Sequence, residues 1–98
     1  MSEPKAIAAD VLEVVPGVWH WAVADDRIGG YFSAAHALQT AEGIVLIDPL
    51  PLAAAGLDRL GAVMAICLTT SSHQRSAWRY RREHGVEVWA PALARAFD

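Results

Sequence analysis

Two apolar segments, separated by one helix-sized stretch, restrict what this chain can build. Ile44-Val-Leu-Ile47 is uninterrupted apolar sequence, the pattern of a strand covered on both faces. Asp48-Pro49 stops it, because proline restricts the residue before it and cannot donate to a ladder. Ala62 to Leu68 reads as a second buried strand, and it runs directly into Thr69-Thr-Ser-Ser-His-Gln74, which reads as a helix N-terminus. Between the two, Leu52 to Leu60 reads as a short helix, with Ala53, Leu57 and Leu60 on one side and Gly61 closing it. Strand, helix and strand in that order imply a parallel pair joined by a crossover. The corner after Leu68 is then the kind of place where many α/β enzymes carry their chemistry.

The flanking sequence extends this sheet. Val11 to Val15 alternates weakly, and Pro16-Gly17 marks a tight turn. Val18 to Ala24 alternates well, with Trp19, Trp21 and Val23 pointing one way and Val18, His20 and Ala22 the other. Asp25 to Gly30 is a loop, and in Phe32 to Gln39 the residues Phe32, Ala34, His36 and Leu38 share a face. Thr40 to Gly43 is a hairpin connection. Ser71 and Gln74 have capping-box spacing for a helix from about Ser72 to His84, ended by Gly85. Val86 to Ala90 reads as a last strand, Pro91 as a breaker and Ala92 to Phe97 as the start of another helix. Residues 1 to 9 read as loose. The order is a β-meander followed by β-α-β-α-β, an α/β (α+β) chain whose mixed sheet carries its helices on one face.

Composition narrows the partners. Ninety-eight residues make one domain with a modest core. The hydrophobic fraction of 54% exceeds that of an average globular domain, yet no apolar run approaches the roughly 18 residues of a membrane span. The surplus points to strands buried on both faces, or to a surface that meets a partner. A net charge of −3 gives no electrostatic case for nucleic acid or anionic lipid. Cys67 is the only cysteine and reads as a small buried hydrophobe. The N-terminal residues resemble neither a signal peptide nor an anchor, so a cytoplasmic protein is the expectation.

Val15-Pro-Gly-Val-Trp19, then a hairpin into Gly43-Ile-Val-Leu-Ile-Asp48, then Cys67-Leu-Thr-Thr-Ser-Ser-His-Gln74, resembles the first half of the metallo-β-lactamase fold. Members of that superfamily carry His-x-His-x-Asp-His at this corner, just after a threonine that corresponds to Thr69. Aligned on that threonine, the ligand positions are Thr70, Ser72, Gln74 and Arg75, none a usual zinc ligand. His73 falls between ligand positions. A degenerate variant of the motif reads Thr-Asn-x-Asp-His followed by Arg; Thr69, His73 and Arg75 agree with it, while Thr70 and Ser72 depart. The resemblance also implies that Asp48 supports the floor of the site through hydrogen bonds to the neighbouring loop. A cap on a turn before proline is the simpler role for that residue.

The full family fold is an αββα sandwich, so half of it leaves an apolar sheet face uncovered. Two copies about a two-fold axis would cover each other. The expectation is a single truncated domain over residues 1–98, with 1–10 disordered, forming a homodimer or other homo-oligomer. No cofactor, metal or catalytic residue is assigned, and any small-molecule ligand is unidentified.

The corner keeps two further readings. Thr69 to His73 place hydroxyls beside an imidazole, but neighbours at a helix start point in different directions, and capping explains them. Asp48, Thr70, Ser71, His73 and Arg75 would instead line a polar or anion pocket, since free amides at a helix N-terminus attract anions. Arg75, Arg79, Arg81 and Arg82 read as a solvated helix face whose stems cover Trp78 or Tyr80. Functionally, a non-catalytic, self-associating or partner-binding protein leads. The alternative is a small hydrolase-like enzyme whose site a second chain completes.

Overall fold

The structure is a computed structural model that describes residues 3–70 and 74–91. Six strands form one sheet in chain order: β1 (Leu12–Val15), β2 (Val18–Ala24), β3 (Phe32–Thr40), β4 (Gly43–Ile47), β5 (Val63–Cys67) and β6 (Glu87–Trp89). The first four pair antiparallel, and β4, β5 and β6 pair parallel. Helix α1 (Ala54–Leu60) makes the β4–β5 crossover and α2 (Ala77–His84) the β5–β6 crossover. The meander and the parallel units therefore form as the sequence implies, and both helices lie on one face.

That face holds the core. Trp21, Val23, Ala35, Ala37, Ile44, Leu46 and Ile66 project from the sheet onto Leu60 of α1 and Ala77 and Tyr80 of α2. Two aromatic polar groups fasten the β4–α1 connection to it. Trp21 Nε1 donates to the Leu50 carbonyl at 3.0 Å, and the Tyr80 hydroxyl donates to the same oxygen at 3.1 Å while accepting from the Leu52 amide at 3.0 Å. Buried aromatics of this kind seek a partner for the polar end, and both find it on one short segment. Trp21 is only 2% exposed and Trp19 packs against the same cluster, so the Trp19–Trp21 face of β2 is the core face.

The opposite face has no cover among the described residues. The register aligns one residue per strand across all six: Leu12, His20, His36, Ile47, Cys67 and Trp89. The next row is Val15, Val18, Leu38, Val45, Ala65 and Glu87. Paired residues in a sheet share a face, so these rows are one surface. Leu12 is 64% exposed, Trp89 62% and Phe32, on the same face of β3, 77%. Here the structure departs from the apolar runs of the sequence. In β4, Ile44 and Leu46 are buried, whereas Val45 and Ile47 are only half-buried, and Cys67 is likewise half-buried.

Two local expectations are corrected. The N-terminal segment is not loose from Glu3 onward. Ala8 bridges to Leu52, accepting from Ala53 N at 2.8 Å and donating to Pro51 O at 3.0 Å, and Val11 enters the core. The second helix begins at Ala77 rather than Ser72, because Arg75 sits in the left-handed region at φ 51° and breaks the turn. The expected helix over 92–97 lies outside the described residues.

Candidate functional site

Strands β4 and β5 end side by side, and the corner is built from the residues just beyond their C-terminal ends. The Asp48 amide continues the parallel ladder by donating to Cys67 O at 2.9 Å. Its side chain then crosses to the next loop. Oδ1 accepts from the Thr69 amide at 2.9 Å and Oδ2 from the Thr69 hydroxyl at 2.5 Å. Asp48 itself is left-handed at φ 46°, a conformation that aspartate tolerates better than most residues. This is a carboxylate clamp between two strand ends.

Arg75 reaches the same place from the other side. Its Nη1 donates to the Ala34 carbonyl at 2.6 Å and to the Asp48 carbonyl at 2.8 Å, tying β3 to the β4 end. The guanidinium engages backbone oxygens, and the Asp48 carboxylate bonds Thr69 instead of it. Burial pushes the Arg75 pKa down, and the charge of Asp48 opposes that shift. Arg75 precedes the helix and does not belong to its first turn, so its charge does not oppose the helix dipole. Thr70 lies at this corner and is half-buried. Ser71 and His73 lie outside the described residues, as does Ser72.

The structure thus brings Asp48, Thr69 and Arg75 together. Thr69, the alignment anchor, proves to be the partner of Asp48, as hydrogen bonding from that acid to the neighbouring loop would require. Beyond the corner, Ser76 Oγ donates to Glu3 Oε1 at 2.5 Å, and Arg79 Nη2 pairs with the same oxygen at 3.1 Å. Burial raises the Glu3 pKa, but the hydrogen bonds from Arg79 and Ser76 outweigh it and the net shift is downward. Of the remaining arginines, the Arg79 guanidinium lies over Tyr80 and that of Arg82 over Trp78, each 4.6 Å from the ring centre. Arg79 is half-buried and paired with Glu3 and Glu83 rather than solvated. Asp48, Arg75, Ser76 and Arg79 each hold one segment to another. Among the described residues no three His, Cys, Asp or Glu side chains gather as a metal site.

Sequence spacing overlooked a pair on the open face. His20 and His36 stand sixteen positions apart in the chain, yet β2 and β3 register them directly opposite, with ring centres 5.2 Å apart. The signal was present in the alternation, which puts His20 on the face of β2 away from Trp19 and Trp21 and His36 on one face of β3 with Phe32 and Leu38. It needed the hairpin register to be read.

No protein-family model matches the chain, and no curated protein matches it. Among solved structures, it resembles a metallo-β-lactamase from Erythrobacter litoralis with a TM-score of 0.57 and 17% sequence identity. The match covers 90% of this chain and 45% of that protein, so the chain spans less than half its length. No described helix is long and apolar enough to cross a membrane. At this identity the likeness speaks for architecture alone. The fold of this chain is that of about half a metallo-β-lactamase domain.

Proposed function

We propose that this chain is a non-catalytic association module whose open sheet face is covered by a second copy of itself. The observation that supports the reading is the register of apolar residues across that face, from Leu12 through Ile47 and Cys67 to Trp89. Six strands at roughly 4.8 Å and about five residues at about 3.3 Å each give a footprint of roughly 25 by 16 Å. That is about 400 Å², and accessible area on a corrugated surface exceeds its footprint, so this face suits an interface smaller than the standard ~800 Å² per partner. Sheets pack well face to face at about 10 Å, and a two-fold axis makes one patch complementary to itself. The corner adds support, because Asp48 and Arg75 are both engaged in holding strand ends.

Light scattering on eluting protein tests the proposal. The wild type should show twice the chain mass of 10.6 kDa at tens of micromolar. Ile47→Lys, in the centre of the face, should run as a single chain. A wild type that stays at the mass of one chain overturns the proposal.

A further inference from the structure

Imidazoles are out of place in the middle of the open face. His20 and His36 occupy the central row, between Leu12 on one side and Ile47 and Cys67 on the other. Their backbone setting brings them unusually close. Gln39 N donates to Gly17 O at one end of the β2–β3 ladder and Asp25 N to Tyr31 O at the other, which makes those two positions hydrogen-bonded pairs. Alternation along an antiparallel ladder then makes His20 and His36 a non-hydrogen-bonded pair, the kind whose side chains approach most closely. The rings are tilted by 58° and are not stacked.

The separation suits a shared ion. Zinc binds imidazole nitrogen at about 2.0–2.1 Å in tetrahedral geometry, which places two rings on one ion with centres about 5 Å apart. The observed distance is 5.2 Å, already at that value. We propose that His20 and His36 form a two-imidazole chelate for a divalent transition metal ion of the zinc and copper class. The site lies on the open face and uses none of the side chains of the Asp48 corner, and two of four tetrahedral positions are left for other ligands. Completion by a second copy rests on the association proposed above. Facing sheets are about 10 Å apart, so each ring spans about half the gap, and a two-fold axis through the pair would present four nitrogens to one ion. The ion would also resolve a conflict of that association, because burying unpartnered imidazoles in an apolar interface is costly.

Titration calorimetry of Zn²⁺ into tag-free protein tests the chelate. Both rings must act on one ion, so His20→Gln and His36→Gln should each weaken Zn²⁺ binding at least tenfold, while His84→Gln leaves it unchanged. Independent surface histidines would behave otherwise, and a loss below tenfold in either variant overturns the chelate. A measurement on the wild type needs no substitution. Electron paramagnetic resonance of the Cu²⁺-loaded protein should show coupling to at least two imidazole nitrogens, and coupling to one overturns the proposal. Light scattering with and without Zn²⁺ separates the two ideas. If zinc binds through both rings while the mass remains that of one chain, the chelate stands and the association falls. If both glutamine variants still dimerise and zinc binding was independent, the association stands and the chelate falls.

Discussion

The two faces of the sheet are built from similar residues and have different fates. On the helix side Trp21, Ile44, Leu46 and Ile66 lose nearly all contact with water, and the Trp21 indole N–H has a partner in Leu50 O. On the other side Leu12, Phe32, Leu38 and Trp89 keep a third or more of their surface exposed. Hydropathy does not separate these sets. What separates them is connectivity, since both crossovers place their helices over the same face. A sheet with one covered face is a stable unit, and its second face is left for another layer. The contrast yields graded expectations.

The largest effect belongs to the covered side. Trp21→Ala removes a buried ring together with the hydrogen bond that holds Leu50. Core truncations of this size cost about 3–5 kcal/mol, a large share of what a domain of this length has to lose. Urea denaturation should show that loss, or no folded baseline at all. A cost below about 1 kcal/mol, the ordinary range of a surface substitution or little more, would mean that the two faces are energetically alike.

Acid should reveal a smaller effect at the rim. Asp25 is wholly buried at the end of β2, where it receives hydrogen bonds from Arg27 at 2.6 and 2.9 Å and from Ser33 at 2.7 Å. The Arg27 guanidinium, against the opposing effect of burial, holds this carboxyl well below the usual carboxylate range. Because the folded pKa lies below the unfolded one, the stabilisation is present above the ordinary carboxylate pKa. It is lost as pH falls through the folded value. Unfolding free energy should therefore rise with pH across the acid limb, and Asp25→Asn should lower stability at neutral pH and flatten that limb. An unchanged slope in the variant would show that the Asp25–Arg27 pair adds nothing to the β2–β3 turn.

The elements were legible in the sequence where one period ruled. Val18 to Ala24 alternates without interruption and its bounds are those observed, while which of its two faces turns inward came from the structure. The parallel pair was readable from Asp48-Pro49 and Gly61, which punctuate the crossover. Legibility failed where distant segments meet. Nothing near Glu3 announces Ser76 and Arg79, so a tied-down segment read as loose. The capping-box spacing of Ser71 and Gln74 implied a helix start before Arg75, but Arg75 is left-handed, held by the carbonyls of Ala34 and Asp48, and the helix begins at Ala77. Apolar runs also promised two covered faces for β4, although a strand in one layer has only one available. Of the corner, the link between Asp48 and the following loop was implied by family resemblance, while its partner, Thr69, came from the structure.

The smallest expected effect falls on the open face and tests the contrast most directly. Leu38 is 37% exposed, on the same face as His36 and beside Val18 and Val45 in the register. In a single chain Leu38→Ser removes little burial, and surface changes of this kind stay within about ±0.5 kcal/mol. If a second copy covers the face, the wild type gains stability by mass action and its unfolding midpoint rises with protein concentration. The variant should lose that dependence while matching the wild type at high dilution. Midpoints measured over a hundredfold range of concentration therefore distinguish a face that packs from one that is merely apolar. Parallel curves for the two proteins, both flat, would leave the open face as solvent-exposed surface; a large loss for Leu38→Ser at every concentration would make it part of the monomer core.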